Sequence, residues 1–280
     1  MNNALKKSID EILNLAINED QTKSDLTSHL TLKNKKIKAN IIFKEDGVLS
    51  GTEIINYLLK KFNKEISIKW NHRNGELIKK YNVVGTIYGP SKDIVSLERI
   101  ILNFLQRLCG ISTMTNKYYK VVENTKIKIL DTRKNIPGWR LLEKYAVRIG
   151  GGYNHRNNLK DQILVKENHI SLNNNIVEVL EKLKKKKKIK MSEIEVANID
   201  ELKTVIKFKP KRIMLDNFNI ANIKKSVQII RDNSKCQIEV SGKMTINRIK
   251  KIKYLDIDFI SVGKITHSAC FLDISMLVVE

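Results

Sequence analysis

The amino-acid sequence predicts an α/β protein whose second half forms a parallel β-sheet. From about residue 125 onward, short β-branched apolar segments alternate with amphipathic segments that have the 3.6-residue period of a helix. Almost every one of these apolar segments is followed by a polar residue that could take part in catalysis. The alternation predicts right-handed β-α crossovers, which place consecutive strands parallel to one another.

The first part of the chain predicts a mixed arrangement of helices and strands. Its β-branched, alternating segments indicate strands, and its amphipathic segments indicate helices. Gly89-Pro90 interrupts the pattern, and Ser91 is a suitable N-cap for a long helix. Glu98 and Arg99 lie outside the apolar face of that helix. The predicted helices are residues 1–17, 53–62 and from 92 onward, and the predicted strands are residues 37–44, 66–70 and 83–88.

The second part of the chain predicts strands separated by helices. This order fits both an open doubly wound sheet and a closed or nearly closed barrel. The predicted strands are residues 127–130, 162–165, 190–196, 212–215, 237–240 and 258–262. The predicted helices are residues 139–148, 173–184, 199–208, 220–232 and 245–251.

The residues that follow these strands favour the barrel. In a barrel the carboxyl ends of all strands meet at one opening, whereas an open sheet concentrates functional groups at one switch point. The last two strands end in glycines, as expected where a backbone approaches a phosphate group closely. The polar strand-end residues are Asp131 to Lys134, Lys166, Glu195, Asp216, Ser241-Gly242 and Gly263-Lys264.

The net charge of +22 requires nucleic-acid binding to be considered. However, the lysines are spread over the whole chain. The densest run, residues 182–190, follows a predicted helix and contains no aromatic residue on which a base could stack. Lysines in a last helical turn complement the helix dipole. We therefore interpret the charge as compositional and expect no nucleic-acid partner.

Cysteine usage and hydropathy predict a cytoplasmic protein. Cys109, Cys236 and Cys270 stand far apart in apolar contexts, which predicts buried free thiols in a reducing compartment. Acidic residues interrupt the N-terminal amphipathic pattern, so no secretory signal is expected. No apolar run reaches membrane-spanning length, so no membrane partner is expected either.

The segment from Asp131 to His169 is the most informative part of the sequence. Its cations stand beside turn-forming glycines rather than along an exposed helix, which suits a pocket that neutralises a small, highly charged anion. Arginine offers a planar fork for carboxylate or phosphate, and lysine offers a mobile point charge. The basic residues are Arg133, Lys134, His155, Arg156 and Lys166.

The order and spacing of these residues resemble the quinolinate phosphoribosyltransferase family. The resemblance covers essentially the whole chain, and its central block is highly specific. Ser24, Tyr153 and Lys243 depart from the family pattern, but none of them removes a charged site residue. The main motifs are Asp131-Thr132-Arg133-Lys134, Pro137-Gly138, Gly150-Gly151-Gly152, Asn154-His155-Arg156, Lys166-Glu167-Asn168-His169, Leu215-Asp216-Asn217-Phe218, Glu239-Val240-Ser241-Gly242 and Ser261-Val262-Gly263-Lys264.

The resemblance implies a fold and an assembly. It implies an N-terminal α/β sandwich domain, residues 1–112, and a C-terminal open α/β barrel, residues 113–269, which together make the type II phosphoribosyltransferase fold. The tail, residues 270–280, is expected to pack back onto the first domain. The assembly implied is a homodimer at minimum, with shared active sites, and a hexamer is left open.

The resemblance also implies a reaction. Quinolinate and phosphoribosyl pyrophosphate would give nicotinate mononucleotide, pyrophosphate and carbon dioxide, as in the synthesis of NAD. Arg133, Arg156 and Lys166 would bind the two carboxylates of quinolinate together with His155. Arg99 would reach into the site from the neighbouring subunit.

The remaining implied roles concern the sugar donor. Lys134 would face the pyrophosphate leaving group. Glu195 and Asp216 would hold ribose hydroxyls and a magnesium ion, which prefers hard oxygen ligands. The expected catalytic residues are Lys134, Glu195, Asp216 and, as a proton donor to the ring carbon, His155. The other residues expected to bind substrate are Thr132, Ser241, Gly242, Lys243, Gly263, Lys264 and His267.

Other interpretations of the sequence are a paralogue that uses a different aromatic acid, a nucleic-acid-binding protein, and a decayed enzyme that keeps the fold. The paralogue would be expected to lose part of the carboxylate-binding cluster, and the cluster is intact. At the level of single residues, His155 and His169 also fit structural roles. Glu195 and Asp216 could serve only to balance the nearby cations.

Overall fold

The structure is a computed structural model that describes residues 1–279, and the chain divides into two compact units. The first unit comprises Met1–Asn116, Lys134–Gly151 and the C-terminal segment from Lys264. The second unit comprises Lys117–Arg133 and Gly152–Gly263. The boundary predicted between residues 112 and 113 lies inside one continuous helix, Ser91–Val122.

The helices and strands follow the predicted order closely. Up to residue 122 they are α1 (Asn3–Asp20), α2 (Leu26–Thr31), β1 (Lys36–Phe43), β2 (Gly47–Val48), α3 (Thr52–Phe62), β3 (Ser67–Trp70), β4 (Leu77–Ile78), β5 (Val83–Pro90) and α4 (Ser91–Val122). Thereafter they are β6 (Lys128–Leu130), α5 (Arg140–Ile149), β7 (Ile163–Val165), α6 (Glu167–Ser171), α7 (Ile176–Lys185), β8 (Ser192–Val196), α8 (Ile199–Phe208), β9 (Arg212–Asp216), α9 (Ile220–Asn233), β10 (Gln237–Ser241), α10 (Ile246–Lys250), β11 (Phe259–Ser261), α11 (Lys264–His267) and β12 (Ile274–Val279).

An antiparallel sheet organises the first unit. Its strand order is β12-β1-β5-β3. Along β1, Ala39, Ile41 and Phe43 are fully buried and the residues between them are not, so one face of the strand lies on the core. The C-terminal strand β12 pairs with β1, with Asn40 opposite Leu277.

A parallel sheet organises the second unit. Its strand order is β6-β11-β10-β9-β8-β7. Each strand from β7 to β10 pairs with the next one along the chain, and β11 pairs with β6. A doubly wound sheet would instead reverse its order at a switch point. The fold is therefore an open barrel with one seam, between β6 and β7, where Tyr153 forms an isolated bridge to Leu130.

The strand register places four of the predicted site residues on one face of this sheet. Glu195 lies opposite Met214, and Asp216 lies opposite Ser241. Side chains two residues apart on a strand point to the same face, so Glu195, Asp216 and Ser241 share a face at the carboxyl ends of three neighbouring strands. Val165 pairs with Ile194, which places Lys166 beside Glu195 on that face.

The three cysteines are free, as predicted, and two of them are buried. The prediction that all three are buried is wrong for Cys270, which is exposed. Its apolar neighbours Ala269 and Leu272 take the buried positions of this segment instead. Within residues 1–279, no helix has the length and apolar character needed to cross a bilayer.

Candidate active site

An ion pair lies at the carboxyl ends of β7 and β8. Lys166 Nζ is 2.7 Å from Glu195 Oε2, as the register requires of neighbours on one face. The lysine side chain is 46% exposed and that of the glutamate only 11%. The ammonium group therefore remains open to an anionic ligand while Glu195 fixes its position.

Two guanidinium groups lie near each other in the same unit. Arg156 Nη1 donates to the backbone carbonyl of Gln162, 3.1 Å away, and Arg133 is exposed on the loop that follows β6. Burial, followed by the charge of Arg133, holds the pKa of Arg156 below its ordinary value. Like charges held together in this way favour binding of an anion that carries more than one negative charge.

Hydrogen bonds hold the loops after β9 and β10 together. The Asn217 N–H donates to the Ser241 carbonyl at 3.1 Å, and the Asn217 side chain donates to Asp216 Oδ2 at 2.5 Å. Gly242 has a φ of +88°, and a Cβ there would lie 2.3 Å from Asn217 Oδ1, so this position requires glycine. Arg248 donates to the Gly242 carbonyl at 3.1 Å. The backbone that was predicted to hold a phosphate is thus fixed in advance.

The other predicted site residues are distributed over both units. Thr132 and Gly263 are half-buried in the second unit, and Lys243, with a φ of +48°, is exposed there. Thr266 of α11 donates to the Lys134 carbonyl at 2.9 Å. The first unit contains Arg99, which is exposed on α4, and the exposed residues Lys134, Lys264 and His267.

His155 is the one predicted site residue whose side chain is buried. Its imidazole is 6% exposed, and its Nε2 lies 3.2 Å from Glu193 Oε2 and 3.6 Å from Glu239 Oε1. Its Nδ1 accepts the backbone N–H of Arg156 at 2.8 Å, so the proton of the neutral ring lies on Nε2. Asp131 Oδ1 accepts the His155 N–H at 2.8 Å. The role of proton donor to substrate stays a prediction, and this geometry favours a positioning role.

A buried charge cluster surrounds His155, and no role was predicted for its other members. Arg212 Nη1 lies 2.7 Å from Glu239 Oε2 and 3.6 Å from Glu193 Oε2. Ser261 Oγ donates to Glu239, and Gln162 Nε2 donates to Glu193 at 2.7 Å. The ligand atoms of His155, Glu193 and Glu239 lie within 4.8 Å of one another, a spacing that a metal ion could use. Arg212 already supplies a cation there, which favours an ion-pair cluster.

The two carboxylates of this cluster share one neutralising guanidinium. Burial, followed by repulsion from Glu193, raises the pKa of Glu239 to about 7. Burial also raises the pKa of Glu193. The charges of His155 and Arg212 act in the opposite direction but leave the pKa of Glu239 raised, so the folded protein favours the protonated form of this carboxyl.

We expect the raised pKa of Glu239 to make the stability of the folded protein depend on pH. A carboxyl whose pKa is raised on folding contributes stability that is complete below its unfolded-state pKa and is lost as pH rises through its folded-state pKa. The free energy of unfolding of the wild type should therefore fall, between about pH 4.5 and 7.5, by roughly 1–3 kcal/mol relative to Glu239→Gln. Urea titrations at a series of pH values measure this difference, and parallel curves for the two proteins would contradict the assignment.

Strand periodicity was the signal that could have revealed this cluster. Glu193 and Glu195 stand two residues apart on β8, as do Glu239 and Ser241 on β10. Polar residues at alternate positions of short buried strands indicate that one face of the sheet is polar along its length.

Two family models match the chain. The model described as quinolinate phosphoribosyl transferase, N-terminal domain, matches residues 25–109, and its C-terminal counterpart matches residues 111–277. Among curated relatives, the probable nicotinate-nucleotide pyrophosphorylase [carboxylating] of Bacillus subtilis is 35% identical over 95% of this chain and 92% of its own length. The chloroplastic nicotinate-nucleotide pyrophosphorylase [carboxylating] of Oryza sativa subsp. japonica is 34% identical over 95% of this chain and 76% of its own length.

Solved structures show the same similarity. The nicotinate-nucleotide pyrophosphorylase of Francisella tularensis is 38% identical, with a TM-score of 0.89 over 98% of this chain and 96% of that one. The nicotinate-nucleotide pyrophosphorylase of Ehrlichia chaffeensis is 33% identical, with a TM-score of 0.90 over 96% of this chain and 98% of that one. These likenesses agree with the two-part α/β architecture described above, with its antiparallel and parallel sheets.

Proposed function

The chain belongs to the quinolinate phosphoribosyltransferase family, and we propose that it makes nicotinate mononucleotide from quinolinate and phosphoribosyl pyrophosphate. In this reaction the pyridine nitrogen forms a bond to the anomeric carbon of the sugar, and the bond from that carbon to pyrophosphate breaks. The bond between ring carbon 2 and its carboxylate then breaks, its electron pair stays on the ring, and a proton replaces the carbon dioxide that leaves.

The cations at the carboxyl ends of the barrel strands carry this proposal. Quinolinate has two adjacent carboxylates, and the nearby guanidinium groups of Arg133 and Arg156, with the ammonium group of Lys166, match that pattern of charge. Once the ring nitrogen is bonded to the sugar it is positively charged, so the ring itself accepts the electrons that decarboxylation leaves behind. We therefore assign these residues to positioning and charge stabilisation, without a covalent nucleophile.

We further propose that Glu195 and Asp216 hold a magnesium ion and the ribose hydroxyls. Both are hard oxygen ligands on one face of neighbouring strands, and Mg²⁺ is commonly bound by one or two carboxylates together with substrate phosphates. The ion would neutralise charge on the departing pyrophosphate. The carboxylates themselves stabilise the positive charge that develops at the anomeric carbon.

We assign the remaining contacts with phosphoribosyl pyrophosphate residue by residue. Lys134 is proposed to bind the pyrophosphate. The backbone around Ser241, Gly242 and Gly263 is proposed to bind the 5′-phosphate, and the fixed conformation at Gly242 supports this assignment. Further contacts are assigned to Thr132, Lys243, Lys264 and His267.

We propose a homodimer in which Arg99 of each subunit completes the site of the other, with a hexamer as a further possible assembly. The exposure of Arg99 on α4 supports a role outside its own unit's core. The free cysteines support a cytoplasmic location, and we propose no nucleic-acid or membrane partner.

Mixing of inactive subunits tests the shared site. Arg99→Ala and Lys166→Ala homodimers should both be inactive, because each lacks one cation of every site. After co-refolding, heterodimers that carry one of each variant should regain about half of wild-type activity per heterodimer, because one of their two sites is then intact. Activity that stays at the level of the separate variants would contradict the shared site.

Direct product analysis tests the proposed reaction. Purified protein is incubated with quinolinate labelled in its 2-carboxylate, phosphoribosyl pyrophosphate and Mg²⁺. We expect equal amounts of nicotinate mononucleotide, pyrophosphate and labelled carbon dioxide, with no release when the sugar donor is omitted. Folded protein that forms none of these products would exclude the proposed function.

A further inference from the structure

A buried ion pair in the first unit lies between two segments that carry proposed phosphate-binding residues. Arg107 of α4 and Glu143 of α5 have side chains that are 6% and 0% exposed. Arg107 Nε lies 3.1 Å from Glu143 Oε1, and Nη2 donates to the same oxygen. A buried pair of this kind is tolerated only when its other polar atoms also find partners.

The rest of the guanidinium group holds the C-terminal segment. Arg107 Nη1 donates to the Ala269 carbonyl at 2.9 Å, and Nη2 donates to the Thr266 carbonyl at 2.7 Å. Thr266 lies in α11, which also contains Lys264 and His267. One side chain thus fixes the backbone on which both of these proposed substrate contacts stand.

The rest of the carboxylate holds the other segment. Glu143 Oε2 accepts a hydrogen bond from Asn135 Nδ2 at 2.8 Å. The hydroxyl of Thr266 donates to the carbonyl of Lys134 at 2.9 Å, which connects the two segments directly. Lys134 is therefore held by its neighbour in sequence and by α11.

We propose that Arg107 and Glu143 are positioning residues that set the spacing between Lys134 and the Lys264–His267 helix, and so the affinity for phosphoribosyl pyrophosphate. The proposal rests on the proposed function, which assigns those cations to this substrate. Arg107 and Glu143 are buried and act only through the backbone and side chains that they hold.

The geometry of the guanidinium group explains why position 107 requires arginine. The guanidinium group reaches three different acceptors in fixed directions, whereas the ammonium group of lysine is a compact point charge on a flexible chain. Arg107→Lys keeps the charge but does not span the Glu143 carboxylate and both carbonyls. We therefore expect Arg107→Lys to have the same effect on KM as a variant that removes the ion pair, although the positive charge is kept.

Kinetics of Arg107→Met, Glu143→Gln and the double variant test the proposal. KM for phosphoribosyl pyrophosphate should rise between about 10- and 100-fold, the effect expected when charged contacts move by about 1 Å. KM for quinolinate should stay within about twofold of wild type. Because the two residues act as one unit, the double variant should be no worse than Arg107→Met.

Leu58→Ala is the matched control for a merely structural role. Leu58 is fully buried on α3 in the same unit and lies outside the pair and its partners, so the change lowers stability without touching them. It should leave both KM values unchanged for the folded protein. If Arg107→Met and Glu143→Gln only lower Tm, as Leu58→Ala does, the proposal is overturned.

Calorimetric binding of inorganic pyrophosphate separates this proposal from the proposed function. Pyrophosphate affinity should fall in Arg107→Met and Glu143→Gln by about the same factor as the rise in KM, since both depend on the same cations. Unchanged pyrophosphate affinity would overturn the positioning role, even if the wild-type protein proved unable to use quinolinate.

Discussion

Replacing either Arg133 or Lys166 with alanine is expected to lower kcat/KM for quinolinate by about 1000-fold. Each change removes charge-assisted hydrogen bonds to a carboxylate, and two such bonds are together worth roughly 4 kcal/mol, which corresponds to about three powers of ten in rate. The fold should be unaffected, because both residues are exposed at the ends of strands. Steady-state kinetics with both substrates, together with Tm, measure the effect.

Lys235→Ala is a matched control for this loss of positive charge. Lys235 is exposed in the same unit but precedes β10, so it lies at the amino end of the sheet, away from the strand ends that carry the site. It should leave kcat/KM unchanged. Normal kinetics in Arg133→Ala or Lys166→Ala would contradict the proposal that the replaced residue binds a carboxylate of quinolinate.

Asp216→Asn has the second largest expected effect, a fall in kcat on the order of 100- to 1000-fold. The change keeps the size of the side chain but removes the negative charge that would stabilise the sugar cation and a bound magnesium ion. Quinolinate binding should be unaffected, since the cations that bind it are still present. The concentration of Mg²⁺ needed for half-maximal activity should rise along with the fall in kcat.

Asp232→Asn is the control, because Asp232 is an exposed residue of α9 in the same unit. Its kcat and its Mg²⁺ dependence should match those of the wild type. An Asp216→Asn enzyme with normal turnover and normal Mg²⁺ dependence would leave Asp216 with only a structural role, that of accepting the hydrogen bond from Asn217.

The alternation of strands and helices was predicted from the sequence because each element has its own period. All eight predicted helices, and all six strands predicted in the second part of the chain, appear within a few residues of their predicted positions. The elements that were not predicted include the short helix Leu26–Thr31 and the strand Ile274–Val279. Leu277 and Val278 are neighbouring apolar residues of that strand, and both are more than half exposed. Apolar and polar residues therefore do not alternate along it, and alternation is the pattern that would have indicated a strand.

The choice between barrel and open sheet was settled by strand pairing. Hydrophobic periodicity is the same in both architectures, since each buries its strands between helices. The pairing of β11 with β6 is a contact between residues about 130 positions apart, as between Ser261 and Leu130. Only the polar strand ends favoured the barrel in advance, and the confirmed fold agrees with that indication.

Buried charged residues are where sequence reasoning was weakest. Arg107 and Glu143 stand on helices whose apolar faces dominate the pattern, and a charged residue there is ordinarily taken as solvated. Arg212 is the first residue and Glu193 the second residue of a short strand, and both resemble polar residues at the end of a strand. Their burial becomes intelligible only with their partners, which come from distant parts of the chain.

Equilibrium binding of pyridine acids tests the central claim most directly, namely that cations from separate strand ends bind both carboxylates of one substrate. Quinolinate, nicotinate and pyridine-2-carboxylate differ only in which carboxylates they carry. Isothermal titration calorimetry should show quinolinate binding at least about 100-fold more tightly than either monoacid, with the difference lost in Arg133→Ala. Similar affinities for all three acids in the wild type would contradict the account.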